Sequence, residues 1–129
     1  MLFTFHRAFN WVINPVETLD QLYGLGVERI LTSGQNTSAE KGIEQLIALK
    51  TKVKDRIIIL PGGGINSNNA TLFKEAGFAE IHASASTIKR VNDTPKIAMN
   101  SPKFFDETIE AYSDINKIKA ILKAVNSEI

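Results

Sequence analysis

Ile57-Ile58-Ile59-Leu60-Pro61-Gly62-Gly63-Gly64 is an unbroken apolar run that stops at three glycines. Its β-branched residues suit a strand buried on both faces, the environment of a parallel sheet covered by helices. The same grammar recurs on either side. Phe3-Thr4-Phe5-His6-Arg7-Ala8-Phe9 and Ile30-Leu31-Thr32-Ser33-Gly34-Gln35 precede it, and Ile81-His82-Ala83-Ser84-Ala85 follows. Each apolar run ends in small or polar residues, and helix-like stretches follow the first three. Parallel neighbours need crossover connections, so strands alternating with helices predict a parallel sheet. The expected fold class is α/β, with about four βα units of the kind that build a TIM (β/α)8 barrel. Four units are half of a closed barrel. The chain is then a fragment of a longer one, one of two copies that complete each other, or a small open sheet.

Helix punctuation supports this order. Asn14 reads as an N-cap, Pro15 fits the first helical position and Glu17 stands where a capping box wants an acid. Val16, Leu19, Leu22 and Tyr23 recur at helical spacing until Gly24 and Gly26. A second helix is expected after Asn36–Ser38, with Ala39, Ile43, Leu46 and Ile47 on one face. A short third follows Asn66–Asn69, with Ala70, Phe73 and Ala76. The fourth strand is expected over residues 79–85. Residues 86–106 read as a polar loop, and 114–126 as an amphipathic helix led by Ile115, Ile118, Ile121, Leu122 and Val125. The whole of 1–129 is expected to be one domain.

Composition narrows the function classes. Fifteen basic and fourteen acidic residues leave a net charge of +1, so no global field favours nucleic acid. With no cysteine there is no disulfide, thiolate nucleophile or Cys-rich metal site. No apolar run approaches a membrane span, and no signal peptide precedes the first strand, so a soluble cytoplasmic domain is expected.

In parallel sheets ligands sit beyond the carboxyl ends of the strands. Strand alternation puts Thr4 and His6 on one face and Phe3, Phe5 and Arg7 on the other. His6 is then an inward acid/base or ligand residue and Arg7 a rim cation for an anion; the structural alternative is a hydrogen-bonded interior histidine beside a structural arginine. Glu80, His82 and Ser84 form a polar inner face on the fourth strand. His6 and His82 are candidate catalytic residues and candidate metal ligands, with Glu80 a third ligand or partner, although no local spacing enforces such a site. Met99 is a soft Cu(I) ligand or a packing residue. Gly62, Gly63 and Gly64 let backbone amides approach an anion, with Ser84 completing the cup; the alternative is a tight turn that needs positive φ. Ser33 and Gln35 read as ligand-orienting groups or as strand-end caps.

Taken together, His6-Arg7-Ala8-Phe9 with Asn14-Pro15, Arg29 to Gln35, Pro61 to Ile65 and Ile81 to Ala85 resemble the CutC copper-homeostasis family, in order and with matching gaps. The resemblance implies the C-terminal half of a (β/α)8 barrel, strands five to eight. It also implies a cytosolic protein linked to copper tolerance, with Cu(I) as the candidate cofactor. Asn10 stands where that family usually has an acid, and cysteines that would bind Cu(I) are absent here. Three readings follow: a copper-homeostasis protein with a rim ligand site, a barrel enzyme acting on a phosphorylated or carboxylated small molecule, or an inactive fragment. The expected partners are a small anion or metal ion and a second copy of the chain, with no nucleic acid or membrane.

Overall fold

The computed structural model describes residues 1–90 and 109–127; Met99 lies outside them, as does most of the expected 86–106 loop. Helix α1 (Pro15–Gly24) begins as its sequence dictates. The Asn14 side chain accepts from the Glu17 N–H at 3.2 Å and donates to the Glu17 carboxylate at 3.4 Å. Strand β2 (Arg29–Thr32) follows and pairs in parallel with β1 (Thr4–Phe5) and β3 (Ile58–Pro61), giving the order β1-β2-β3. Helix α2 (Ile43–Val53) links β2 to β3 and α3 (Ala70–Glu75) follows β3. The fold is α/β, with helices covering one face of a parallel sheet.

That covered face is the core. Ile30, Ile57 and Ile59 are buried against Leu19 and Leu22 of α1, Leu46, Leu49 and Val53 of α2, and Phe73 of α3. Residues of opposite parity, Leu31, Ile58 and Leu60, lie outside this cluster, and Ile58 is 37% exposed. The sheet is thus apolar on both faces and covered on one.

Four expectations are corrected here. The first strand is only Thr4–Phe5, because His6 already caps a 3-10 helix, Arg7–Trp11. Phe3, expected to face the helices, is 58% exposed, while Phe5 does pack against the core. The second helix begins at Ile43 rather than near Ala39. Ala39 is instead tied to the glycine loop, its N–H donating to the Gly63 carbonyl at 2.9 Å. The fourth strand contracts to one parallel bridge, Gly62 to His82, with the His82 N–H donating to the Pro61 carbonyl at 2.8 Å. Beyond Gly62 the chain turns through Gly63 (φ +120°) and Gly64 (φ +71°), which leaves residues 83–85 no extended backbone to pair with.

The start of the expected loop is also different. Ser86–Arg90 forms β4, antiparallel to β5 (Ile109–Ser113), with Thr87 opposite Tyr112 and Ile88 opposite Ala111. β-branched residues on both strands, with Tyr112 on β5, suit a pleated pair. Asp114 then caps α4 (Ile115–Asn126), accepting from the N–H groups of Asn116 and Lys117. It also takes the Thr87 hydroxyl at 2.7 Å, and that bond, followed by the one from Asn116, holds its carboxyl below the usual range. Ile121 of α4 is buried, and the helix packs on α3.

Candidate functional site

Phe9 anchors the rim. It is fully buried within the 3-10 helix, which fixes its neighbours Arg7 and Asn10 at the end of the sheet. Asn10 is the junction to β2. Its Oδ1 accepts from the Thr32 hydroxyl at 2.6 Å and from the Ser33 N–H at 3.2 Å, while the Thr32 oxygen accepts from the Gly34 N–H at 3.1 Å. Gln35, in the left-handed region at φ +58°, turns back and donates to the carbonyls of Val12 (2.8 Å) and Phe9 (3.4 Å). Between these elements opens a cavity of about 680 Å³, walled by His6, Arg7, Asn10, Trp11, Gln35 and Asn36.

The glycine loop meets this wall from the other side. A Cβ on Gly63 would lie 3.4 Å from an Arg7 guanidinium nitrogen and 3.3 Å from the Ser33 Cβ. Arg7 is exposed and makes no ion pair among the described residues. The Gly62 N–H is consumed by the Thr32 carbonyl at 3.0 Å. Those of Gly63 and Gly64 have no acceptor among the described residues. A guanidinium without an ion pair therefore stands against Gly63, whose N–H and that of the next residue are unpaired among the described residues, an arrangement suited to a small anion.

The other candidates divide. Ser33 is buried and donates to the Asn36 carbonyl at 2.6 Å, so its hydroxyl shapes the turn instead of facing a ligand. His6 is exposed: its ring stacks on Phe5 at 5.9 Å and its Nδ1 accepts the Ala8 N–H at 3.0 Å. His82 is exposed on the uncovered face, its Cβ 3.2 Å from where a Gly62 Cβ would stand. Ser84 lies apart, in a second cavity of about 330 Å³ with Asn66, Ser67, Ser86 and Lys117, its Oγ 3.2 Å from that of Ser86. Glu80 is no free ligand. Its carboxylate takes both Nε and an NH2 of Arg29, at 3.0 and 3.1 Å, and this fork holds its pKa below the usual carboxylate range. Among the described residues no three His, Cys, Asp or Glu side chains gather where they could hold one metal ion. In the turn between the glycines and α3, the Asn66 and Asn68 N–H groups donate to the Asn69 and Asn66 side chains at 2.8 Å.

The CutC family model matches residues 1–87. The chain belongs to the CutC family. A family protein CutC of Bacteroides thetaiotaomicron is 41% identical over 128 residues, covering 92% of this chain and 51% of that protein. The mouse copper homeostasis protein cutC homolog is 36% identical over 124 residues, covering 92% of this chain and 45% of its own length. The crystal structure of CutC from Streptococcus agalactiae superposes with a TM-score of 0.59 at 30% identity, covering 64% of this chain and 41% of that one. The chain spans about a third to a half of the curated CutC relatives it matches, from 32% to 52%. Among the described residues no helix is long and apolar enough to cross a membrane.

Asn10, read from sequence as a lost acid, instead ties the 3-10 helix to the end of β2. Both of its partners donate to one oxygen, which a carboxylate supplies equally well. Asn10→Asp should therefore leave the denaturation midpoint nearly unchanged. Asn10→Leu leaves the Thr32 hydroxyl and Ser33 N–H unmatched and should cost about 1–3 kcal/mol in a urea melt. Equal losses for both variants would show that the amide nitrogen matters.

Proposed function

We propose that this chain forms part of the ligand-binding rim of a cytosolic copper-homeostasis protein built on a (β/α)8 barrel, and that this rim takes a small oxyanion, a phosphate or carboxylate. One observation carries the reading: the unpaired Arg7 guanidinium lies against Gly63, beside two N–H groups with no acceptor among the described residues. The name of the mouse relative supports the copper-homeostasis role. The geometry favours an anion over Cu(I) as the group bound here. His6 spends Nδ1 on its own backbone, and no three His, Cys, Asp or Glu side chains gather at one point among the described residues. An anion held at Arg7 also suits the reading of a barrel enzyme acting on a phosphorylated or carboxylated molecule, with His6 at the cavity wall as its acid or base.

The test is a thermal melt against rising phosphate. Saturation at 100 times Kd should stabilise the native chain by about 2.7 kcal/mol, and the gain should vanish in Arg7→Gln. Arg7 is exposed, so that variant should melt as the parent does without phosphate. A flat phosphate response in the parent sinks the proposal. A Cu(I) titration that saturates at fixed stoichiometry and weakens in His82→Ala would replace the anion by the metal.

A further inference from the structure

The rim cavity of about 680 Å³ lies between two loops of this chain, the 3-10 helix after β1 and the turn after β2. Ligand pockets for small organic molecules run to roughly 300–1,000 Å³, so an oxyanion alone would leave most of this one empty. Its two walls differ in hydrogen-bonding sense. On the 3-10 wall, Asn10 commits its Oδ1 to Thr32 and Ser33, which leaves its amide NH2 as the free group. His6 Nδ1 accepts the Ala8 N–H, so the neutral ring carries its proton on Nε2. With Arg7, that wall offers donors. On the facing wall, Gln35 spends its amide nitrogen on the Val12 and Phe9 carbonyls, and Asn36 spends its own on the Gly34 carbonyl. What remains free there among the described residues is a pair of acceptors, Gln35 Oε1 and Asn36 Oδ1.

Trp11 completes the lining. It is the only tryptophan in the chain and stands outside the buried core. Arg7 and Trp11 are the first and last residues of the 3-10 helix. At a rise of about 2 Å per residue, their Cα atoms are separated by about 8 Å along its axis. A ligand that meets both side chains therefore carries an anionic group and a flat ring, held apart by a spacer. The acceptors on the facing wall call for hydroxyl or amino donors on that spacer or ring.

We propose that this cavity takes a nucleoside monophosphate, with the phosphate at Arg7, the base stacked on the Trp11 indole, and sugar hydroxyl or base amino groups donating to Gln35 Oε1 and Asn36 Oδ1. The proposal rests on the oxyanion reading of Arg7 given above and extends it to the class of molecule that carries the anion. Every base has a π-face, so stacking on an indole selects the class without selecting one base. A sugar phosphate would meet Arg7 and the acceptors but leave the indole without a stacked partner.

Fluorescence reads the site directly, because no tryptophan other than Trp11 contributes. Adenosine monophosphate should quench it to saturation. It should bind about tenfold or more tighter than inorganic phosphate, ribose phosphate or adenosine, each of which lacks one of the parts. By calorimetry, Trp11→Ala should lose about tenfold in affinity for adenosine monophosphate, the contribution of one stacked ring, and Trp11→Phe should recover most of it. Trp11→Ala should keep the parent's phosphate response in a thermal melt, which also shows that the variant is folded. Equal affinities for adenosine monophosphate and phosphate, with Trp11→Ala harmless, overturn the proposal and leave the oxyanion reading standing. Ribose phosphate binding as tightly as the nucleotide overturns it in favour of a sugar phosphate. Adenosine binding as tightly as the nucleotide while phosphate gives no response overturns the oxyanion reading, and this proposal with it.

Discussion

Gly42→Ala should lower the unfolding free energy by about 3 kcal/mol, read from a urea melt. Gly42 precedes α2 and lies directly on the turn after β2. A Cβ placed there would overlap the Ser33 carbonyl oxygen and stand 3.1 Å from the Gly34 Cα. The reciprocal Cβ on Gly34 would overlap the Gly42 carbonyl. Both obstacles are backbone, so no side-chain rotation relieves them. Glycine-to-alanine exchange ordinarily stabilises by about 0.4–1 kcal/mol through the unfolded chain where the native conformation tolerates it. Gly42 has φ −92°, an allowed value, so a net loss isolates the collision. An unchanged midpoint would show that α2 slides freely past β2. The effect should also reach the rim, because displacing Ser33 and Gly34 moves Gln35, which holds the end of the 3-10 helix.

Phe9→Ala should cost about 3–5 kcal/mol, the range for emptying a buried aromatic position. Phe9 is fully buried, and its carbonyl closes the 3-10 helix by accepting from the Val12 N–H at 3.3 Å. Without the ring, Arg7 and Asn10 lose the anchor that sets their positions, so phosphate protection should fall along with stability. Phe9→Leu separates the two effects. It keeps most of the volume and should lose clearly less stability than Phe9→Ala while retaining the phosphate response. If Phe9→Ala melts within 1 kcal/mol of the parent, the rim does not depend on this anchor.

The parts of the fold legible in the sequence were those written in local chemistry. Asn14 caps α1 with Pro15 in its first turn and Glu17 beside the cap, the last helix forms where its apolar spacing places it, and Ile58–Leu60 lie in the sheet ahead of two positive-φ glycines. Arg7 and the glycine loop do converge, as a shared rim requires. What stayed hidden was set by contacts distant in sequence. A five-residue 3-10 helix has no periodic signature, so His6 read as a strand residue when its side chain is a cap. Ser33 looked available because nothing local announces that its hydroxyl is turned onto the Asn36 carbonyl. Glu80 looked like a ligand because its partner Arg29 lies 51 residues away. The Gly34–Gly42 approach is a backbone contact, and glycine in a turn gives no hint of what passes beside it.

The Arg29–Glu80 fork has a consequence for how the chain finds its alignment. The segment around His82 is held to β3 by one bridge, and a single bridge specifies register weakly. Sliding that segment by one residue would swing Glu80 to the helix side, pressing a carboxylate against Ile57 and Ile59, and would turn Ile81 out. Burying an unpaired carboxylate is far costlier than losing a surface ion pair. Only the native alignment meets the two guanidinium nitrogens, so the pair works as a key that fits one notch and rejects the neighbouring ones.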